Sequence, residues 1–147
     1  MIKWLLRIAV FSLTITIAAI GVIYYGFQAS LPDIEGELKL AGIQSTVSID
    51  RDDQGAPTIS ADNRGDLAFA TGYVHAQERF FQMDLSRRMA AGELSELFGA
   101  LAVDTDKRNR LHRFRHRATI ALAQVNDNDR NILRKYVEGV NVGLDGL

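Results

Sequence analysis

Several common signals are missing from this 147-residue sequence. It has no cysteine, which excludes a disulfide framework and a thiolate metal site. Its formal net charge is only −1, so the composition indicates neither disorder nor nucleic-acid binding. There is also no G-x-S-x-G, no H-E-x-x-H and no glycine loop of the kind that cradles phosphate. Motif spacing alone therefore assigns no chemistry to the chain.

A long uncharged run near the N-terminus is the first positive signal. Residues 8–27 contain no charge and are numerous enough to cross a hydrocarbon core of about 30 Å as a helix. Cations precede the run and acidic residues follow it: Lys3, Arg7, Asp33, Glu35 and Glu37. This asymmetry predicts an inner-membrane anchor through residues 8–27, with the C-terminal part in the periplasm.

A cleaved signal peptide is the alternative interpretation of the same run. Cleavage after Ala29 would put Phe27 at a position that prefers a small residue, and the run is longer than a usual signal core. An uncleaved anchor is therefore favoured, but a periplasmic or secreted product remains open. Residues 1–31 are assigned to the anchor or signal segment, and residues 32–147 to the exported part.

After a linker over residues 30–36, the apolar pattern changes to a period of two. Residues 36–40, 45–51 and 57–61 alternate apolar and polar side chains, as half-buried strands do. Gly55 lies in "DDQGAP", where a tight turn is expected. The pattern predicts a small antiparallel meander of three strands over residues 36–61, which is interpreted as scaffold.

From residue 62 onward the pattern is helical, and the segment 67–89 carries two apolar faces. Asp62 or Asn63 is expected to cap it. One face holds Leu67, Ala70, Val74, Phe81, Leu85 and Met89, and the other holds Phe69, Tyr73, Ala76, Phe80 and Met83. A helix that is apolar on two sides is predicted to pack between two layers.

Three further features complete the helical part. Gly92 is expected to interrupt it, and Gly99 to end a short helix. Residues 107–117 form a strongly basic run. A last helix is predicted to open at Asp127 or Asn128, with a buried stripe of Ile132, Leu133, Tyr136, Val137 and Val140.

The histidines and one carboxylate are the candidates for chemistry. His75 and Glu78 are three residues apart, a spacing too common to indicate a metal site. His112 and His116 are one turn apart, but surrounding arginines repel a cation, so a solvated basic face is favoured. An acidic partner or lipid head groups remain alternatives for that face.

Glu78 falls within an apolar face, where a lone carboxylate is costly unless it is paired. Arg88 or an arginine from another helix is the expected partner. A buried ion pair that orients helices is favoured over a catalytic or ligand role.

A long motif resembles the N-terminal part of the penicillin acylase (penicillin amidase) family. The family pattern "RD-x-x-G-x-P-x-I-x-A" is found at residues 51–61, and "D-L-x-x-A-x-G-Y-x-x-A-Q-D/E-R-x-x-Q-M" at residues 66–83. The pair Arg87 and Arg88, then "GELSELFG" at 92–99, follow in the family's order. The resemblance runs from about residue 36 to the end of the chain.

The resemblance implies an N-terminal nucleophile hydrolase, made as a precursor that cleaves itself into an α and a β chain. Acylated amines such as penicillins or acyl-homoserine lactones are the implied substrates. The new N-terminal Ser of the β chain attacks the amide, and its α-amino group acts as the base. The implied fold class is α+β, with a transmembrane helix, short antiparallel strands and a helical segment that form a fragment of the four-layer αββα fold.

The family's nucleophile, oxyanion hole and calcium ligands all lie downstream of the matched region. The chain is therefore expected to contain no catalytic residue and no metal ligand, and calcium is allowed only in the full-length family protein. The serines have no supporting context as nucleophiles: Ser30, Ser45, Ser48, Ser60, Ser86 and Ser95. Gln77, Glu78 and Arg79 are interpreted as a polar network that fixes the central helix beneath the site.

Two classes of function remain after these steps. The first is the N-terminal part of an exported amidohydrolase, inactive by itself and completed by a β chain. The second is a non-catalytic, membrane-tethered helical domain that binds a partner, or a truncated relic. The ending of the chain directly after a helix is interpreted as a truncation.

Overall fold

The computed structural model describes residues 2–29, 31 and 35–145 and divides after Glu37 into two compact units. The predicted linker at 30–36, with Asp33, lies largely outside the described residues, as do the last two positions. The first unit contains helix α1, Ile2–Ala29. The second contains two strands and all the other helices.

Helix α1 is long and apolar enough over Lys3–Ala29 to cross a membrane, as an anchor or a signal sequence would be. Both of its threonine hydroxyls donate within the helix. Thr14 Oγ1 donates to the Val10 carbonyl at 2.9 Å and Thr16 Oγ1 to the Ser12 carbonyl at 3.0 Å. Such bonds let polar side chains lie in an apolar helix without unpaired groups.

Two strands form one antiparallel hairpin: β1, Ser48–Arg51, and β2, Pro57–Ser60, with Ile49 opposite Ile59. The turn between them is held by Asp52, whose Oδ1 accepts from the amides of Gln54 and Ala56 at 2.9 and 2.8 Å. Gly55 follows with φ +79°, a conformation that favours glycine. The predicted turn is confirmed.

The prediction of a strand at residues 36–40, the first of the three, is wrong. The described part of this segment joins no sheet. Just beyond it, the amides of Gln44 and Ser45 donate to the Asp66 carboxylate instead of to a strand ladder. Gly42, at φ +103°, turns the chain there and lies so near the Phe69 ring that a Cβ would be 3.0 Å from it. The chain is thus fixed onto helix α2 before it can pair as a strand.

Helix α2 runs from Arg64 to Ala91 and is the longest element of the second unit. Asn63 is its N-cap, as expected, because its Oδ1 accepts from the Asp66 amide at 2.8 Å. Gly92 ends it with φ +71°, also as expected. Inside the helix, Arg79 has φ −145° and ψ 22°, so α2 is kinked at that residue.

Short helices follow: α3, Ser95–Phe98, a 3₁₀ turn at Gly99–Ala102, α4, Val103–His112, and α5, Phe114–Gln124. Gly99 ends α3 with φ +62°, as predicted. Arg113 separates α4 from α5 in the left-handed conformation, with φ 54° and ψ 41°. This break divides the basic run between two helices.

The last helix, α6, Asp127–Asp145, crosses α2 at very short range. A Cβ added to Gly139 would be 1.9 Å from the Phe69 carbonyl oxygen, and one added to Gly72 would be 2.1 Å from the Tyr136 carbonyl oxygen. Gly143 meets the Tyr73 carbonyl oxygen in the same way, at 2.7 Å. Glycines on both helices therefore allow backbone to pack on backbone.

This crossing corrects the predicted buried stripe of α6. Val140 is buried, but Leu133 and Val137 are 47% and 54% exposed, and Gly139 and Gly143 take their place at the contact. The face of α6 that packs on α2 is the one that contains the glycines, because only residues without a side chain let the two backbones come this close. The helix begins at Asp127, as predicted, and Asn126 caps it, since Asn126 Oδ1 accepts from the Asp129 amide at 3.0 Å.

The two-sided packing predicted for α2 holds only in its first half. Phe69, Ala70, Val74 and Ala76 are buried and form most of the core. Beyond the kink, Phe81 is 66% exposed. Among the described residues, Phe81 and Met89 therefore lack a covering layer, whereas Phe80, Met83 and Leu85 are partly covered.

Candidate functional site

The family-like motif residues Gln77, Glu78 and Arg79 lie at the kink of α2. No proline or glycine lies at this point of the helix, so neither of the usual residue types explains the bend. The kink residue Arg79 instead directly follows Glu78, whose carboxylate binds Arg51 of strand β1. No local sequence pattern predicts this kink.

Glu78 has an arginine partner, but not one of those expected. Its Oε1 accepts a hydrogen bond from Arg51 Nη1 at the end of β1, and Arg79 Nη2 lies 3.7 Å from its Oε2. The Arg51 and Glu78 side chains are 18% and 25% exposed, so the pair is shielded but not buried. Arg88, the expected partner, instead binds Asp84 and Glu96.

Two further contacts surround this motif. His75 Nδ1 and the Tyr136 hydroxyl are 3.0 Å apart, and their rings meet edge to face. Gln77 Nε2 donates to the Tyr73 hydroxyl at 3.1 Å. His75 therefore joins α2 to α6, while Glu78 joins α2 to β1. This arrangement orients three elements relative to one another.

Asp66 is a structural residue whose full role the sequence reading missed. It is 1% exposed, and its two oxygens accept from the Gln44 and Ser45 amides at 2.9 and 2.8 Å. Burial raises the pKa of this carboxyl, but hydrogen bonds from Gln44, Asn63 and Ser45 outweigh burial and hold the pKa below its ordinary value. The only signal in the sequence is the capping pair Asn63 and Asp66, which indicates a helix start and not a long-range contact.

Asp106 makes a second contact of the same kind. It is 3% exposed, and its oxygens accept from the Leu94 and Ser95 amides at 2.9 and 2.7 Å, which fixes the start of α3 onto α4. Burial again acts to raise its pKa, and the hydrogen bonds from Ser95 and Leu94 lower it below the ordinary value. Each buried aspartate thus holds two consecutive amides of a distant segment.

Two of the remaining candidates, Ser86 and His112, make local contacts. The Ser86 hydroxyl donates to the Gln82 carbonyl of its own helix at 2.8 Å. His112 and His116 lie on either side of the break at Arg113, and the His112 ring stacks on Phe114. Across the described ranges, no group of three or more His, Asp or Glu side chains is close enough to hold a metal ion.

Comparison with known families gives one clear match. The family model described as penicillin amidase matches residues 46–147. The matched range contains the hairpin, the kinked helix α2 and its crossing with α6.

Curated relatives match most of the chain. The penicillin acylase 2 proenzyme of a Pseudomonas species is 40% identical over 121 residues, which are 80% of this chain. The acyl-homoserine lactone acylase QuiP of Pseudomonas putida is 35% identical over 119 residues, or 81% of this chain. In both cases the matched region is only 15% of the relative's own length.

A solved structure shows the same arrangement. A thermostable penicillin G acylase from Alcaligenes faecalis superposes with a TM-score of 0.61 and 31% identity, over 68% of this chain and 53% of that one. The resemblance read from the motif at residues 51–83 is thus confirmed by family, by sequence and by fold.

Proposed function

This chain belongs to the penicillin amidase family, and from that premise we propose that it forms the N-terminal scaffold of an exported amidohydrolase. The observation that carries the proposal is the family match over residues 46–147. The matched relatives are named as penicillin and acyl-homoserine lactone acylases, which favours an acylated amine as substrate. The bond cleaved is then the amide between the acyl group and the amine.

In the proposed enzyme the nucleophile comes from outside this chain. An N-terminal Ser of a β chain from the same precursor attacks the amide carbonyl, and its own α-amino group takes the proton. Donors of that β chain stabilise the oxyanion of the tetrahedral intermediate. The name "proenzyme" of one relative supports processing from a precursor. The present chain would supply a part of the four-layer αββα fold.

The proposed contribution of this chain is to hold α2 in place. The Glu78–Arg51 pair joins α2 to β1, the glycine crossing joins it to α6, and Asp66 joins it to residues 44–45. Gln77, Glu78 and Arg79 act in this scheme as positioning residues. A network with several anchors of this kind keeps a supporting element rigid while chemistry occurs nearby.

The proposed location is the inner membrane with the C-terminal part in the periplasm. It rests on the apolar helix Lys3–Ala29 and on the charge asymmetry around it. If the segment is a cleaved signal, the product is periplasmic or secreted. Calcium stays a prediction for the full-length protein, and no step of the proposed reaction uses it.

The activity of the isolated chain tests the assignment of the nucleophile. The purified 147-residue protein should hydrolyse chromogenic phenylacetyl and long-chain acyl anilides only at the background rate, because it lacks an N-terminal nucleophile with a free amine beside it. The measurement is the release of the chromophore over time, with a processed penicillin acylase as the positive control. Turnover that a serine-directed reagent abolishes would show that a nucleophile lies within this chain.

One observation favours the second class of function, a helical domain that binds a partner. The second unit exposes large apolar side chains, among them Phe81 at 66% and Leu101 at 95%. The genomic sequence directly after codon 147 discriminates between these two classes of function. A continuing reading frame with a Ser at the start of a strand supports the enzyme, and a stop codon supports the interaction domain.

A further inference from the structure

The turn between α4 and α5 concentrates positive charge. Residues 107–117 contain six cationic side chains and no acidic one, although the whole chain has a net charge of −1. We call these six residues the basic corner: Lys107, Arg108, Arg110, Arg113, Arg115 and Arg117. They lie on both sides of the break at Arg113, so the two helices present them around one bend.

Only part of this charge is neutralised by the protein. Arg115 binds Glu93, with Nη2 2.7 Å from Oε2, and Lys107 Nζ lies 3.6 Å from Asp104 Oδ1. Arg110 keeps its charge but is held in place, because its Nε donates to the Gly92 carbonyl at 2.8 Å. Among the residues that the structure describes, no carboxylate pairs with Arg108, Arg113 or Arg117. The corner therefore retains an excess of positive charge at the surface.

Apolar side chains lie between these cations. Leu111 is 82% exposed and Phe114 is 46% exposed, and they flank the bend on the two helices. Helix α5 buries none of its residues. Arg113 is also the one described residue other than glycine with a positive φ, a conformation that is unfavourable for a side chain with a Cβ.

We propose that the basic corner docks on an anionic phospholipid surface. The unpaired guanidinium groups bind lipid phosphates, while Leu111 and Phe114 enter the boundary between head groups and acyl chains. Cations near an anionic membrane surface each add to the attraction, and exposed apolar side chains among them add burial. This docking is independent of the proposed catalytic role.

The charge of the basic corner favours a membrane surface over a further polypeptide layer as its binding partner. A protein layer would have to remove several guanidinium groups from water and supply a carboxylate for each, whereas an anionic lipid surface supplies phosphates wherever the arginines lie. The chain also carries a helix fit to cross a membrane. Such an anchor raises the effective concentration of lipid around any other surface of the same chain.

The experiment uses the lack of native cysteine, which makes a single introduced thiol unique. Ala118→Cys is four residues after Phe114, on the same side of α5, and accepts an environment-sensitive fluorophore. The full chain is reconstituted in vesicles of phosphatidylcholine alone or mixed with phosphatidylglycerol, each with nitroxide-labelled lipid as quencher. Lipid quenching and a blue shift are expected only with phosphatidylglycerol, and high salt should reverse them.

Two charge variants make the test specific. Arg108→Gln with Arg117→Gln should lower the ratio of docked to undocked protein about thirtyfold, or about fivefold for each cation removed. Arg64→Gln with Arg134→Gln removes the same charge outside the corner and should leave docking unchanged. Equal quenching in both kinds of vesicle would overturn the proposal, as would no quenching in either. A probe that is blue-shifted but unquenched would show that polypeptide covers α5 instead.

Discussion

At the scale of single residues, two buried aspartates make long-range hydrogen bonds that the residues next to them in sequence do not indicate. Asp66 and Asp106 each accept hydrogen bonds from two consecutive backbone amides, and neither is more than 3% exposed. A buried carboxylate is tolerated when donors surround it. Both residues are thus expected to stay ionised in the folded protein and to make its stability dependent on pH.

Asp66→Asn should destabilise the second unit and remove part of its sensitivity to acid. Folding lowers the pKa of Asp66 below the ordinary value of 3.8, so its contribution is present above that value and is lost as the pH falls through the lower folded pKa. An amide keeps the shape but brings its own hydrogens toward the Gln44 and Ser45 amides. The expected cost near neutral pH is about 1.5–3 kcal/mol of unfolding free energy.

Denaturant unfolding followed by circular dichroism at a series of pH values measures this effect. Asp104→Asn is the matched control, because the Asp104 side chain is 84% exposed and pairs only weakly with Lys107. That control should change stability by less than about 0.5 kcal/mol. An Asp66 variant as stable as the parent chain near neutral pH would mean that the two amide contacts contribute nothing.

The pair formed by Glu78 and Arg51 is the second residue-scale case. Truncation of Glu78 to Ala in the full precursor should lower the folded yield and block maturation, because it leaves Arg51 without its carboxylate. A double-mutant cycle with Arg51→Gln and Glu78→Gln should give a coupling of about 1–2 kcal/mol, between the values for exposed and buried pairs.

Activity per correctly processed molecule separates a structural role from a catalytic one. Arg79→Gln is the control, since Arg79 is 52% exposed and 3.7 Å from the carboxylate, and it should have a smaller effect. If Glu78→Ala folds and matures normally but loses turnover, Glu78 takes part in the chemistry and the positioning role is wrong.

At the scale of elements, the crossing of α2 and α6 organises the second unit. Glycines at positions 72, 139 and 143 let the two backbones approach closely, and Phe69 and Val140 are buried beside them. Residues at i, i+3 and i+4 share one helix face, so the spacing of these positions keeps the contact on one side of each helix. The short distance between the two helices at their crossing therefore depends on these three positions having no side chain.

Gly139→Ala should separate these helices. The added Cβ would be 1.9 Å from the Phe69 carbonyl oxygen, and neither atom belongs to a flexible side chain that can move away. The expected loss is about 3 kcal/mol or more of unfolding free energy, which is at or beyond the usual cost of overpacking. The exposed Asn141→Ala on the same helix is the control. The measurement is the denaturant midpoint of unfolding of each variant. Equal midpoints for Gly139→Ala and Asn141→Ala would contradict the close approach of α2 and α6.

At the scale of the whole molecule, the chain combines a membrane-competent helix with a second compact unit. That second unit matches a family whose relatives are much longer, because the matched region is 15% of their length. Exposed apolar side chains beyond the kink of α2 fit a scaffold that packs against further polypeptide. The proposed topology places that polypeptide outside the cytoplasm.

A reporter fused after residue 147 tests this topology. An enzyme that is active only in the periplasm should give signal, because cations precede the apolar helix and acidic residues follow it. Reversal of the leading charges by Lys3→Glu and Arg7→Glu should reduce the signal. An active cytoplasmic reporter with a silent periplasmic one would place the second unit in the cytoplasm and contradict the proposal.

The sequence by itself determined the features that depend on short-range patterns. The apolar run of α1, the turn at Gly55, the caps at Asn63, Gly92 and Gly99, and the long motif of the family could all be read from neighbouring residues. Helix and turn preferences act over a few positions, so a single sequence carries them. The family assignment succeeded for a similar reason, because the motif at residues 51–83 is continuous.

Only the tertiary structure decided which distant groups meet. Glu78 binds an arginine 27 positions away, although the sequence offers arginines that are nearer to it. Asp66 binds a backbone amide 22 positions away. The failed strand at 36–40 and the shifted stripe of α6 both follow from long-range contacts with α2, which took precedence over local periodicity. Long-range pairing depends on the geometry of the closed chain, and no local pattern encodes that geometry.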